Sequence, residues 1–226
     1  ARRALRRAVG GARRVIAVSA ALRVEMVDEL GLAPQRIALV PNAADHLPLL
    51  PRAPGAAAPI LCVAHLEPRK NQALLLRALA ADPDLPALQL AGAAKGGEER
   101  RLKRLARELG VVARVAFLGR VGDAELARLY ASCGCVVLPS LVEGYGIPLA
   151  EALRAGAPVA LANLPALLEV ARGAGASFDP RDALGCARAL KRALAQRTVE
   201  EAPRDGWADS ARALVEAWES AILSPP

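Results

Sequence analysis

Short, mainly apolar segments recur along the chain at residues 15–18, 37–40, 60–64, 87–91, 114–118, 135–138 and 158–161, interrupted only by Gln89 and led in by Arg114 and Pro158. Continuous runs of four or five apolar residues are the pattern of strands buried on both faces of a parallel sheet. Between them the period lengthens to that of a helix. Ser19 predicts an N-cap for a helix running to about Leu30 and stopped by Gly31. A helix is predicted from Asn71 to about Ala81. Another spans 98–109, where Leu102, Leu105, Ala106 and Leu109 form one stripe and Gly110 ends it. Asp123 is the expected cap of the next, with Leu126, Leu129 and Tyr130 inward. Further helices are expected after residue 146, near 164–171, over 182–196 and over roughly 207–223. Residues 1–9 place Ala1, Ala4, Leu5, Ala8 and Val9 on one face and four arginines on the other. That is an amphipathic helix whose basic face meets either solvent or an acidic membrane surface.

After residue 60, strand and helix alternate at least five times. The fold class expected is α/β, a doubly wound, Rossmann-like parallel sheet. Residues 45–59 hold Pro48, Pro51, Pro54 and Pro59 among alanines and read as a linker. His46, within it, is expected in solvent.

Composition narrows the picture. Of 226 residues 54% are hydrophobic and only 3% aromatic, so the core must be leucine, valine and alanine. A net charge of +7 suits an anionic ligand or an acidic surface. Nucleic acid is the weaker partner, because no basic and aromatic residues interleave as a stacking groove requires. Cys62, Cys133, Cys135 and Cys186 lack zinc-site spacing and read as buried thiols of a reducing cytoplasm. No apolar run approaches the roughly 20 residues of a membrane span.

Parallel sheets bind ligands at the carboxyl ends of their strands, and two of those ends are chemically loaded. The first carries His65-Leu66-Glu67-Pro68-Arg69-Lys70-Asn71. Two adjacent cations at a helix start oppose the helix dipole unless an anion compensates, so Arg69 and Lys70 are candidate diphosphate ligands. The second runs from Ser140 to Glu151. It places Glu143, Gly144, Tyr145, Gly146 and Ile147 before a helix that Pro148 can open. Glycines let the backbone approach a ligand, and the free amides of a new helix favour an anion. A carboxylate repels phosphate and accepts from hydroxyls, so Glu143 and Glu151 suggest a ligand with a central phosphate and hydroxylated ends. On residues alone the two also fit a general acid–base pair. His65 is either a ligand contact or a polar strand end, and Tyr145 either covers a ligand ring or packs the turn. No Asp-x-Asp pair or histidine cluster offers a metal site, so none is expected.

Residues 15–205 resemble the C-terminal half of a GT-B fold glycosyltransferase, specifically the retaining glycosyltransferase family 4. The matching pieces are Val18-Ser19, Val40-Pro41-Asn42, Leu66 to Asn71, Phe117-Leu118-Gly119 and Pro139-Ser140 with the Glu-x7-Glu stretch. The match continues through Ala155 to Val159, Glu169-Val170 and Phe178-Asp179-Pro180. The resemblance implies that this half binds a nucleotide-sugar such as a GDP- or UDP-sugar. Arg69 and Lys70 would hold the diphosphate, Glu143 the sugar hydroxyls and Glu151 the ribose. His65, Ser140 and the turn at Gly144 to Ile147 would line the donor, and the segment from Gly119 to Val121 would lie against the base. Transfer would retain the anomeric configuration, need no metal, and serve a glycan or lipid-linked acceptor, as in polysaccharide biosynthesis. The expected place is cytoplasmic, with peripheral contact at the inner face of the membrane. Residues 1–44 would be the last pieces of an acceptor domain, 60–205 the donor domain, and 206–226 a helix crossing back. The isolated chain would then transfer sugar poorly. Two positions depart from the pattern: Ala64-His65 replaces the usual Gly and its polar neighbour, and Ala43 follows Pro41-Asn42 where Gly is usual. The rival readings are another GT-B enzyme, such as an epimerase or a phosphorylase, and a non-catalytic basic binding module.

Overall fold

Six parallel strands form the main sheet of the computed structural model, which describes residues 8–196 and 206–223. Most of the amphipathic pattern at 1–9 lies outside the described residues; 8–11 are helical. The strands are β3 (Ile60–Val63), β4 (Leu88–Ala91), β5 (Val115–Gly119), β6 (Cys135–Leu138), β7 (Val159–Ala162) and β8 (Ala176–Phe178). Their spatial order is β5-β4-β3-β6-β7-β8, so the domain, counted from its own first strand, runs 3-2-1-4-5-6. Register is set by pairs such as Ile60 with Leu88 and with Cys135. Both β6 and β7 are buried along their whole length, which is why their sequences are unbroken apolar runs.

The helices are α2 (Gln72–Ala81), α3 (Glu98–Glu108), α4 (Asp123–Ser132), α5 (Ile147–Arg154), α6 (Pro165–Ala171) and α7 (Ala183–Ala195). Each buries one stripe. In α3, Leu102 and Ala106 are fully covered, with Leu105 and Leu109 packed at the margin. The core is leucine, valine and alanine, with Tyr130 its largest fully buried side chain. All four cysteines are buried free thiols.

Residues before 45 form a smaller unit. A two-stranded parallel sheet of β1 (Val15–Ala17) and β2 (Ile37–Leu39) packs with α1 (Ala20–Leu30) around Ala17, Leu32 and Ile37. Helix α1 starts and stops as its sequence demands. The Ser19 hydroxyl accepts from the Leu22 amide at 3.0 Å, and Gly31 closes it at φ 68°. The last helix, α8 (Trp207–Leu223), returns to this unit. The Arg13 guanidinium donates to the Ala221 carbonyl at 3.2 Å, and the Ser210 hydroxyl donates to the Pro41 carbonyl. Ile16, Leu39, Leu214, Val215, Trp218 and Ile222 stay exposed on the same part of the molecule.

Several expectations change in detail. Asp123 is the first residue inside α4, and Gly122 holds the cap position without a side-chain hydrogen bond. A three-residue 3-10 turn, Pro68–Lys70, precedes α2, and Asn71 caps it at φ 56°. The cations therefore sit at the end of a tight turn, one residue before the helix. Strand β8 follows the Gly173–Gly175 bend, and its three residues were too few to read as an apolar run.

Residues 45–59 hold no helix or strand, yet they are anchored. Leu47 is in the core, its carbonyl accepts from Arg154 at 2.8 Å, and the Arg52 guanidinium donates to the Tyr130 carbonyl at 2.7 Å. His46, on this strap, is exposed, as expected, and in addition its Nε2 meets the buried Glu151 carboxylate.

Candidate functional site

The strand order reverses between β3 and β6, and the carboxyl ends of those two strands carry the loaded segments. At such a switch point the flanking loops diverge and leave a crevice. The segment after β3 brings His65 to Lys70, and the segment after β6 brings Ser140 to Ile147. The Leu141 amide donates to the Arg69 carbonyl at 2.8 Å, which ties the loops backbone to backbone. Asn71 adds a staple, its side-chain amide donating to the Pro139 and Pro180 carbonyls at 3.0 and 2.9 Å.

The central contact is an ion pair across the crevice. Lys70 Nζ lies 2.5 Å from Glu143 Oε1, with the side chains 13% and 9% exposed. The Ser140 hydroxyl donates to the same oxygen at 2.8 Å. Glu143 Oε2 takes no hydrogen bond from another described residue and remains available to a hydroxyl. Lys70 has three donors, of which this pair uses one. Arg69 pairs with Glu67 at 2.7 Å and is half-exposed. Both cations are thus partly compensated by carboxylates of the chain itself, so the dipole at the helix start no longer demands an external anion, and the contact that spans the switch point is Lys70 with Glu143.

Helix α5 begins beside this pair. Gly146 caps it at φ 100°, and the amides of Gly146 and Ile147 donate to no other described residue. A side chain at Gly146 would come within 2.5 Å of Leu167. The free amides and the helix dipole favour an anion next to Lys70. Tyr145 is partly buried and packs against the core.

Glu151, one turn into α5, is buried. The Tyr130 hydroxyl donates to its Oε2 at 2.6 Å, and His46 Nε2 lies 3.1 Å from Oε1. Burial raises the Glu151 carboxyl above its usual range against the lowering effect of Tyr130 and His46. Burial likewise pushes the Tyr130 hydroxyl well up, with the adjacent carboxylate adding to it, so the phenol is a fixed donor. Glu143 and Glu151 therefore sit in two separate settings, each with its own donors.

His65 is exposed, with Nδ1 3.3 Å from the Ala93 carbonyl. Gly119 ends β5, two strands from β3. Its carbonyl accepts from the Gly92 amide at 2.7 Å, and Val121 packs at the core margin. They form the side of the crevice under β4 and β5. Gly92, at φ 148°, lets the backbones close: a side chain there would lie 2.0 Å from the Ala64 oxygen. On the other side, a cleft of about 460 Å³ reaches from Glu143 to Leu22 and Glu25 of α1 and Pro165 of α6. Glu169 and Ser19 hold that wall. Glu169 accepts from the Ala20 and Ala21 amides at 2.8 Å each, and the Ser19 hydroxyl donates to the Gly144 carbonyl at 2.7 Å. No cluster of metal-ligating side chains occurs among the described residues, and no helix among them is long and apolar enough to cross a membrane.

Sequence reasoning missed Tyr130 and His46 as site residues. A fully buried tyrosine needs a partner for its hydroxyl, which was the available signal for the first. His46 carried none, since its contact depends on where the strap lies.

A crevice with cations, free helix amides and separate carboxylates at the reversal of a 3-2-1-4-5-6 sheet is the ligand-binding position of a doubly wound fold. The chain belongs to the family described as Glycosyl transferases group 1, which matches residues 52–213. The fold is that of the GT-B glycosyltransferases. It is 31% identical over 182 residues to the serotype-specific mannosyltransferase WbdA of Escherichia coli, covering 73% of this chain and 22% of that protein. It is 27% identical over 239 residues to the O-antigen chain mannosyltransferase B of Escherichia coli, covering 96% of this chain and 60% of that one. Among solved structures, Anabaena HepE in complex with UDP-glucose superposes with a TM-score of 0.76 at 23% identity, covering 97% of this chain and 64% of HepE. The chain spans less than two thirds of the length of each of these proteins.

Proposed function

We propose that this chain binds the nucleotide-sugar donor of a retaining glycosyltransferase that serves a glycan or lipid-linked acceptor. The observation that carries the reading is the Lys70–Glu143 pair bridging the switch point beside the free amides of α5. Lys70, Arg69 and the Gly146 and Ile147 amides receive the diphosphate. Glu143 Oε2 accepts from a sugar hydroxyl, and Glu151 accepts from the ribose. His65, Ser140, Gly144 and Tyr145 line the sugar and phosphate, and Gly119 and Val121 flank the base. The bond from the anomeric carbon to the phosphate oxygen breaks with its electron pair going to that oxygen. The cations and amides stabilise the charge as it develops, without a metal. The acceptor oxygen bonds to the anomeric carbon from the face the phosphate leaves, and its proton goes to the departing phosphate. Acceptor binding falls to the part of the relatives that these residues do not span, so the 226 residues alone bind donor and transfer little. The similarity to the WbdA and O-antigen chain mannosyltransferases supports a mannosyl donor and a polysaccharide acceptor, and the nucleotide, GDP or UDP, is left to the titration. A cytoplasmic site of action with peripheral membrane contact follows from a lipid-linked acceptor.

Calorimetric titration of GDP, UDP and ADP into the chain tests this reading. Binding of at least one with a Kd in roughly the micromolar to submillimolar range, weakened by Lys70→Ala and by Glu151→Ala, is expected. The reading fails if none binds or if both variants bind unchanged.

A further inference from the structure

We infer that His46 is a positioning residue for Glu151 and couples the nucleotide end of the crevice to the seating of α8. The inference rests on the reading of Glu151 as the ribose anchor. Its geometry starts at the indole of Trp207, the first residue of α8. An indole N–H can only donate, and Trp207 Nε1 lies 3.4 Å from His46 Nδ1. That nitrogen must therefore accept, which puts the imidazole proton on Nε2. Nε2 is the atom 3.1 Å from Glu151 Oε1. The chain of donors then runs in one direction, from indole to imidazole to carboxylate, and α8 selects the tautomer that donates to Glu151.

The count of lone pairs gives the arrangement its purpose. A carboxylate has about four acceptor positions. Tyr130 takes one on Oε2 and His46 one on Oε1. Each oxygen keeps one, a match for the two adjacent hydroxyls of a ribose. Two donors from different elements, α4 and the 45–59 strap, also fix the plane of the carboxylate. Neither donor alone would do so.

Helix α8 is clamped to the same strap. Asp45 Oδ1 of the strap accepts from the Trp207 amide at 2.8 Å, and just ahead of the strap the Pro41 carbonyl accepts from the Ser210 hydroxyl. The imidazole and indole rings lie 6.4 Å apart between centroids, tilted by 60°. The surrounding elements carry Asp45 and Arg52 on the strap, Glu151 and Arg154 on α5, Asp123, Glu125 and Arg128 on α4, and Asp209, Arg212, Glu216 and Glu219 on α8. Arg154 is engaged by the Leu47 carbonyl, and Asp209 by Arg212 and the Gly206 amide. Glu151 is the acidic group within hydrogen-bond reach of the imidazole. Displacement of α8 would remove the indole, free the imidazole to change tautomer, and release one side of the ribose anchor.

The test uses the 226-residue chain labelled with 15N-histidine, together with nucleotide titration of His46→Ala, His46→Gln and Trp207→Phe. The imidazole nitrogen shifts of His46 should report the Nε2–H tautomer in the unliganded chain and a mixture of tautomers in Trp207→Phe. His46→Ala should weaken the nucleotide that binds wild type by about tenfold, the loss of one hydrogen bond to a charged group. His46→Gln, which restores an N–H donor, should stay within about threefold of wild type. Thermal melts identify any variant that fails to fold, in which case His46→Gln and Trp207→Phe carry the test. The inference is overturned if His46 is the Nδ1–H tautomer, or if alanine and glutamine bind alike. If wild type binds no nucleotide, the ribose-anchor reading falls and the inference with it. Binding that is intact in wild type and indifferent to His46 sinks the inference alone.

Discussion

Replacing Lys70 with methionine strands a buried carboxylate. Lys70 Nζ and Glu143 Oε1 are 2.5 Å apart, and both side chains are largely covered. At an effective dielectric near 20 their gross attraction is about 7 kcal/mol, most of it offset by the desolvation of both ions. The pair as a whole adds little net stability. Breaking it from one side costs about 3–5 kcal/mol, and the Ser140 hydroxyl, still donating to Glu143, keeps the loss near 3 kcal/mol. For a chain of this size that lowers Tm by about 6–12 °C. Adding Glu143→Gln removes the stranded charge and keeps an acceptor for Ser140. The double variant should recover to within about 1 kcal/mol of wild type. Nucleotide binding should be lost in both, because the phosphate ligand is absent from both. Urea unfolding, followed by calorimetry, reads all of this. The reasoning is refuted if the single variant costs under about 1 kcal/mol, if the double is no more stable than the single, or if the double binds nucleotide like wild type.

Tyr130→Phe removes a donor from buried Glu151 and should cost about 1–3 kcal/mol. Burial already raises that carboxyl and the change raises it further, so the loss should be greater at pH 8 than at pH 5; a pH-independent loss in urea unfolding would count against the assignment. Gly92→Ala puts a methyl 2.0 Å from the Ala64 oxygen at φ 148°. It should cost about 3 kcal/mol or more in unfolding experiments, and a wild-type Tm would contradict the close approach of those strand ends. Burial pushes the Cys62 and Cys186 thiols up to about 12 and raises Cys133 and Cys135 as well. Ellman's reagent should therefore find no fast thiol in the native chain and four in denaturant.

The centre of the sheet was legible because β6 and β7 are buried along their whole length. Runs such as Cys135 to Leu138 carry no polar interruption, and each is followed by a helical stripe. Strand β8 was not, because three residues after two glycines give no periodicity. The site was legible where neighbours in sequence become neighbours across one crevice, as Arg69-Lys70 and Ser140 to Ile147 do. Tyr130 and His46 were hidden for a physical reason. Tyr130 reads as core by its spacing, and only its hydroxyl, which periodicity ignores, links it to Glu151. His46 lies in a proline-rich strap whose course is set by contacts of Leu47, Arg52 and Arg154, and no local pattern encodes those.

The central claim is that the nucleotide lies across the β3–β6 switch point. Amide hydrogen exchange of the 226-residue chain, with and without a saturating nucleoside diphosphate, tests it most directly. Protection should concentrate at 64–71, 119–121 and 140–151, with the opposite end of the sheet, at 52–58 and 84–87, unchanged. Protection centred on that opposite end, or no change at the two loaded loops under saturating ligand, would contradict the account.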